Sequence, residues 1–306
     1  MVNHLKIGLL GVLVIFCIIA GNEGKDQTHD EEEHDPDPEI SINDAKYQAS
    51  LRLVSLEKTK GYGHGHLCSG SIITQRVILT AAHCVVNASK TPPSDHNADE
   101  FVVVVGSGNL YDKADTLQYN VKKIVKHNSF DSKTYYNDIA LLYLNDSIPW
   151  TWPTAKAISL NSKLVPEQTM CNATSWLREE DCKPTKLLSI TVPIISHETC
   201  AYRHENVSES VICGGHELPP GEEEESCQGD AGGSLVCNGK LAGVVFRGDG
   251  MGRPNNPGIF TNVSYFYDWI VKTNGTFDYK NSANGLSVSS AQILILLFSV
   301  LGYNLF

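Results

Sequence analysis

Thr80-Ala81-Ala82-His83-Cys84, Asn137-Asp138-Ile139-Ala140-Leu141-Leu142 and Cys227-Gln228-Gly229-Asp230-Ala231-Gly232-Gly233 follow one another along the chain in that order. An imidazole, a carboxylate and a glycine-rich turn are thus carried by three separate stretches. The sequence around them, from Ile40 to about Tyr279, consists of short apolar runs separated by Gly, Pro, Asn and Asp. Phe101 to Val105 is rich in strand formers, and Leu188, Ile190, Val192 and Ile194 alternate with the two-residue period of a half-buried strand. Asn238-Gly239, between Cys237 and Lys240, is a two-residue hairpin turn. This texture predicts an all-β fold. The exception lies near the end, where Phe266, Trp269 and Ile270 fall at helical spacing after Ser264, a candidate cap, and predict a helix over 265–273. No internal repeat is visible.

Composition agrees with a globular chain. Of 306 residues 42% are hydrophobic and 19% charged, enough to bury a sizeable core in one large domain or two smaller ones. The formal charge of −11 argues against a nucleic-acid surface, which needs a basic patch. Much of that charge is local. Eight acids lie between Asp26 and Glu39, and Glu222 to Glu225 form a second run.

Both ends carry processing patterns. His4 and Lys6 precede an apolar run from Ile7 to Ala20 that ends in small residues, the order of a secretory signal peptide over 1–21 with cleavage near Ala20 to Asn22. At about 1.5 Å per residue the run falls short of a ~30 Å hydrocarbon core, which weighs against a membrane anchor. Residues 22–39, with Pro36 and Pro38 among the acids and almost nothing apolar, cannot offset their own ordering entropy and are expected to form a flexible arm. His29 and His34 within it are expected to be solvated. At the other end, residues 280–306 place small residues (Asn281 to Gly285), a mildly polar spacer to Gln292 and an apolar tail from Ile293 to Phe306 in the order of a glycosylphosphatidylinositol (GPI) anchor signal. A tail-anchored segment and a buried helix are the alternatives. Six Asn-x-Ser/Thr sequons, at Asn87, Asn145, Asn172, Asn206, Asn262 and Asn274, fit an exported glycoprotein.

On the three quoted stretches, the chain resembles the chymotrypsin/trypsin-like (S1) serine proteases, whose catalytic signatures occur in the same order, His, Asp, nucleophile. The resemblance covers roughly Ile40 to Thr273 and includes Gly70 after Cys68 and the Pro257-Gly258 pair. It implies two six-stranded antiparallel β-barrels, roughly 40–160 and 161–265 within a domain of 40–279, with the active site in the cleft between them and a closing helix. It also implies that His83 takes a proton from the nucleophile and that Asp138 holds the imidazole tautomer. At the nucleophile position, however, residue 231 is Ala. A methyl group cannot attack a carbonyl, so the expectation is an inactive homologue with a relict triad of His83, Asp138 and Ala231. Gly229 and the Ala231 N–H would form a relict oxyanion hole. Ser226 and Ser234 are the nearest hydroxyls in sequence, and neither is expected to reach His83.

Other departures point the same way. Active family members are cut after a basic residue, and the new amino terminus pairs with the Asp that Asp230 matches. Here Glu39 precedes Ile40, so Asp230 is expected to lack that partner and to sit as in an unactivated precursor. Phe246-Arg247-Gly248 stands where the family usually has Ser-Trp-Gly, backbone that pairs with an extended peptide. Glu225 occupies the pocket-floor position whose Asp selects Lys or Arg in trypsin-like members, and Gly248 and Gly258 match open pocket walls. Glu225 either receives a cation, ends a solvated acidic loop, or pairs with Arg247. Eight cysteines remain outside the signal. By resemblance Cys68 pairs with Cys84, Cys171 with Cys237 and Cys200 with Cys213, which leaves Cys182 and Cys227 either bridged over the pocket, in the loop after Trp176-Leu177, or free. His64-Gly65-His66 is expected to be a loop before a strand rather than a metal site, and no metal or cofactor is expected.

These features are similar to those of the non-catalytic serine protease homologues of insects, which act in protease cascades or reproductive secretions. The leading expectation is a cell-surface or secreted binding protein whose partner is another protein: a protease, an inhibitor or a receptor. A lipid anchor would supply a membrane contact, and no nucleic acid is involved. The alternatives are a hydrolase with residual or unusual activity and an adhesive surface glycoprotein.

Overall fold

The computed structural model describes residues 39–176, 186–204, 207–215, 230–246 and 257–278. The expected signal peptide, most of the acidic arm and the anchor signal lie outside these residues, as do Cys182, Asn206, Glu225, Ser226, Cys227, Gly229, Arg247 and Gly248.

In chain order the strands are β1 Gln48–Leu53, β2 His66–Thr74, β3 Val77–Thr80, β4 Val86–Asn87, β5 Ser94–Asp95, β6 Phe101–Val105, β7 Leu117–Lys126, β8 Ala140–Leu144, β9 Met170–Trp176, β10 Leu187–Pro193, β11 Val211–Gly214, β12 Ser234–Cys237, β13 Lys240–Val245 and β14 Gly258–Asn262. The first barrel is closed in the order β1-β2-β3-β8-β7-β6, every pair antiparallel. The second is a six-stranded sheet, β10-β9-β12-β13-β14-β11, whose two edges meet at an antiparallel bridge between Ile194 and Gly214. Strands β3, β6 and β8 are buried along their whole length, which is why they read as unbroken apolar runs rather than as alternation. They supply much of the first core, around Ile78, Leu79, Phe101, Val103, Leu141 and Tyr143.

The β12–β13 hairpin turns at Asn238 and Gly239, both with positive φ (50° and 72°), the conformation of the two-residue turn that Asn-Gly favours. The closing helix α3 spans Tyr267–Thr276, so it begins and ends slightly later than its sequence pattern. Ser264 does not cap it through its side chain. Its hydroxyl and N–H both donate to Asn262 Oδ1, 2.8 and 3.1 Å away, and a carboxamide so close in sequence outcompetes the helix end for the hydroxyl. Two short helices were not legible in the sequence. Numbering helices in chain order, α1 is Val54–Lys60 and α2 is His197–Arg203, the latter capped by Ser196 Oγ accepting from the Thr199 N–H.

The barrels are joined by buried polar contacts as well as by packing. Gln48, fully buried on β1, donates its Nε2 to Thr174 O of β9 (3.1 Å) and accepts from Ser234 Oγ of β12 (3.3 Å). Burial also raises the Tyr47 phenol above its ordinary value, opposed by hydrogen bonds to Ser234 and Thr174. Each barrel thus satisfies donors of the other, which fixes the cleft between them.

Candidate active site

His83 enters the site on a 3₁₀ turn, Ala82–Val85, at the end of β3. Cys68 and Cys84 are disulfide-bonded, so the turn is tied to β2. Asp138 lies two residues before β8 and is buried, its carboxylate doubly engaged. Oδ2 accepts from His83 Nδ1 at 2.6 Å and Oδ1 from the His83 N–H at 2.8 Å. The donor assignment at Nδ1 leaves Nε2 of a neutral imidazole as an acceptor, the arrangement of a general base. Thr261 Oγ1 donates to the carbonyl of Asp138 at 2.9 Å and so ties the start of β8 to the second barrel.

The glycine-rich turn comes to β2 and β3 from the other side. Ser69 N–H donates to Ala231 O at 2.8 Å, and Gly232 N–H to Val245 O at 2.9 Å. Gly232 has φ +81°, and a Cβ there would lie 2.1 Å from Ser69 O and 2.4 Å from Thr80 Oγ1. Only glycine fits this approach. Ala231 itself is half-buried against the first core. These contacts fix the backbone on both sides of residue 231, where the side chain is a methyl group. Ser234 is no substitute: it is fully buried and its hydroxyl is turned toward Gln48.

Ser50, His66 and Asp230 form a Ser-His-Asp constellation that sequence reasoning missed. Asp230 is buried. Its Oδ2 is paired with His66 Nε2 and accepts from Ser69 Oγ at 3.0 Å, while its N–H donates to Ser175 Oγ at 3.2 Å. His66 Nδ1 lies 2.8 Å from Ser50 Oγ, which also accepts from Arg52 Nε at 2.9 Å. The ring of His66 meets Trp176 edge-on at 5.5 Å. Ser50 is 1% exposed and the side chains of His66 and Asp230 are 5% and 2% exposed, so no substrate reaches this hydroxyl and the constellation is structural. Arg52, 1% exposed, donates to Leu110 O, lies 3.6 Å from Glu57 and stacks over Tyr62 at 4.6 Å. Burial lowers its pKa, opposed by Tyr62 and Glu57. His66 is thus no loop histidine but the first residue of β2 and the partner of Asp230.

Ile40 does not meet Asp230. Its N–H donates to Leu187 O at 3.0 Å, and its side chain packs with Ala45, Leu110, Trp176 and Leu187. Glu39 bridges to Leu188 and is ion-paired with Lys186 at 2.5 Å.

Two of the pocket residues expected from sequence fall within the described residues. Gly258 is buried and paired with Gly214 on β11. Phe246 follows β13, its N–H bonded to Ile259 O at 3.2 Å, and its ring meets Tyr135 edge-on at 5.7 Å. The disulfides Cys68–Cys84, Cys171–Cys237 and Cys200–Cys213 are present. Cys68, His83 and Cys84 cluster closely, but their sulfurs are joined to each other and offer no thiolate to a metal. Of the sequons, Asn145 and Asn172 are exposed, Asn87 and Asn274 half-buried, and Asn262 buried.

The family model described as trypsin matches residues 38–270. Trypsin eta of Drosophila melanogaster is 35% identical over 214 residues, 68% of this chain and 77% of that protein. Trypsin zeta of the same species is 33% identical over 281 residues, covering 86% of this chain and 95% of its own. Serine protease 1 of Rattus norvegicus is 34% identical over 241 residues, 77% and 86% of the two chains.

Proposed function

Because this chain belongs to the trypsin family of serine proteases, we propose that it is a non-catalytic member of that family, held at the outer cell surface and acting by binding another protein. The observation that carries this is the methyl group of Ala231 at the nucleophile position of a chain whose His83–Asp138 hydrogen bond is formed. The base is in place, but there is no hydroxyl for it to deprotonate, and covalent acyl transfer has no first step. What remains of such a site in the absence of its nucleophile is roughly 10³–10⁴ over water, negligible beside a protease.

The test is a serine-reactive fluorophosphonate probe and an activated ester on the purified chain. We expect no labelled residue and no hydrolysis that His83→Ala abolishes. Stoichiometric labelling of any hydroxyl would establish a hydrolase instead.

Surface display rests on the sequence patterns at the two ends, a signal before residue 22 and an anchor signal over 280–306. A phosphatidylinositol-specific phospholipase is expected to release the protein from intact cells. Detection of a membrane-bound peptide ending at Phe306 would overturn the anchor.

The same export route gives a prediction for the sequons. Asn262 is 6% exposed, and its Nδ2 donates to Glu209 O at 3.2 Å. A glycan on that nitrogen would remove the bond and require space that the fold does not provide. Glycopeptide mapping should find Asn262 unmodified, with sugars on the exposed Asn145 and Asn172. A glycan at Asn262 in the folded, secreted protein would contradict this packing.

A further inference from the structure

Tyr135 and Phe246 come from opposite sides of the cleft. Tyr135 belongs to the loop between β7 and β8 of the first barrel, and Phe246 leaves the end of β13 in the second. Their rings meet edge-on at 5.7 Å between centroids, and Tyr135 also meets the His83 ring edge-on at 5.4 Å. Phe130 adds a third contact to Tyr135 at 6.5 Å. These are the preferred separations and orientations of packed aromatic pairs, which makes the row His83, Tyr135, Phe246 a joined contact across the groove.

The backbone is built to hold this ring in place. Tyr135 has φ +59°, a left-handed conformation that a bulky residue rarely adopts and that persists only where its surroundings enforce it. Here Tyr135 N–H donates to Asp131 O at 2.7 Å, Asp131 N–H to Tyr136 O at 3.1 Å, and Asn137 Nδ2 to Ser129 O at 2.9 Å. Asn137, also left-handed at φ +57°, then turns the chain into Asp138. The same few residues that position the carboxylate also aim the tyrosine.

We infer that Tyr135 and Phe246 bar the relict cleft, so that an extended polypeptide cannot lie beside His83 and the protein partner docks outside the groove. The spacing decides the matter. Two rings in edge-on contact, 5.7 Å between centroids, leave no gap between them through which a backbone could pass. The side chain of His83 remains 24% exposed, so a small molecule still reaches the imidazole. The barrier is thus selective by size. It goes beyond the loss of the nucleophile, because it would exclude a peptide whether or not residue 231 carried a hydroxyl.

The test compares two alkylating reagents at His83 Nε2, read by peptide mass spectrometry: iodoacetamide, and a tripeptidyl chloromethyl ketone that must lie along the groove. With the peptidyl reagent, Tyr135→Ala and Phe246→Ser are expected to react faster than the unmodified protein by about tenfold or more, while Tyr135→Phe, which keeps the ring, behaves like the unmodified protein. With iodoacetamide all four proteins should react within about twofold of one another, which shows the His83–Asp138 pair and the fold to be unchanged. Equal rates of peptidyl alkylation in the unmodified protein and in Tyr135→Ala would remove the barrier. Equal acceleration with both reagents would also overturn it, because the change would then lie in the imidazole and not in access. Should Tyr135→Ala fail to fold, Phe246→Ser carries the same comparison from the other wall. Failure of this inference leaves the fluorophosphonate result untouched, so the barrier and the missing nucleophile are judged separately.

Discussion

His66→Ala is expected to destabilise the folded domain by about 3 kcal/mol, one of the largest costs available to a single substitution here. Asp230 is 4% exposed, and its carboxylate is held by His66 and by Ser69 Oγ. Taking away the imidazole leaves a buried charge with one hydroxyl as its remaining side-chain donor among the described residues, and an uncompensated buried charge costs far more than the pair was worth relative to an apolar substitute. The double variant His66→Ala/Asp230→Asn should therefore regain much of the loss, with a coupling between the sites of about 2 kcal/mol. Ser50→Ala should cost less, about 1 kcal/mol, since it removes a neutral hydrogen bond to His66 and leaves Arg52 its contact with Leu110 O. Urea denaturation of the unmodified protein, His66→Ala, Asp230→Asn, the double variant and Ser50→Ala decides. A His66→Ala cost below about 1 kcal/mol, or additivity with Asp230→Asn, would show that Asp230 finds another partner and that this constellation is not what holds the turn.

The architecture was legible because its signals are local. Short apolar runs, an Asn-Gly hairpin and a terminal stretch of helical spacing each declare their own geometry within a few residues, and the three motifs order them. The hydrogen-bonded pair of His83 and Asp138 was legible for the same reason, since both sit inside contiguous signatures. What the sequence did not display is what only tertiary structure assembles. Ser50 and His66 are 16 residues apart and His66 and Asp230 are 164 apart, so no spacing rule connects them. The one hint was electrostatic: an Asp expected to lack an amino-terminal partner must find some other cation or donor. Helix α1 was invisible because none of its residues is buried, so it has no apolar stripe to read. It is held instead by Glu57, whose carboxylate accepts the N–H groups of Gly63 and Gly65. Tyr135 gave no signal either, because a left-handed φ on a tyrosine is imposed by the hydrogen bonds of its loop and not by its own preference. Ser264 shows the converse failure, a residue of the right type at a helix start whose hydroxyl is claimed by a nearer acceptor.

Ala231→Ser alone is expected to leave turnover of Lys, Arg and apolar peptide substrates well below about 1 s⁻¹, the low end of ordinary enzyme rates. The substitution restores a hydroxyl on a turn whose backbone contacts are formed, and His83 is ready to take its proton. Two observed features still oppose catalysis. Asp230, adjacent to the nucleophile position, is held by His66, and the Ile40 N–H by Leu187 O, so in the uncleaved chain Ile40 does not pair with Asp230. The contact between Tyr135 and Phe246 stands across the groove in which a substrate must be held in register. Positioning contributes as much as about 7–11 kcal/mol to such reactions, and donors for the developing oxyanion a further few, so a nucleophile without a placed substrate forfeits most of the rate. The order of repair follows from the geometry. Adding Phe246→Ser to Ala231→Ser should raise kcat/KM for peptides while leaving the rate of fluorophosphonate labelling nearly unchanged, because the small probe does not need the groove and the peptide does. Efficient peptide turnover by Ala231→Ser alone would mean that neither the occupied carboxylate nor the aromatic contact hinders the site, and that the missing oxygen was the whole defect.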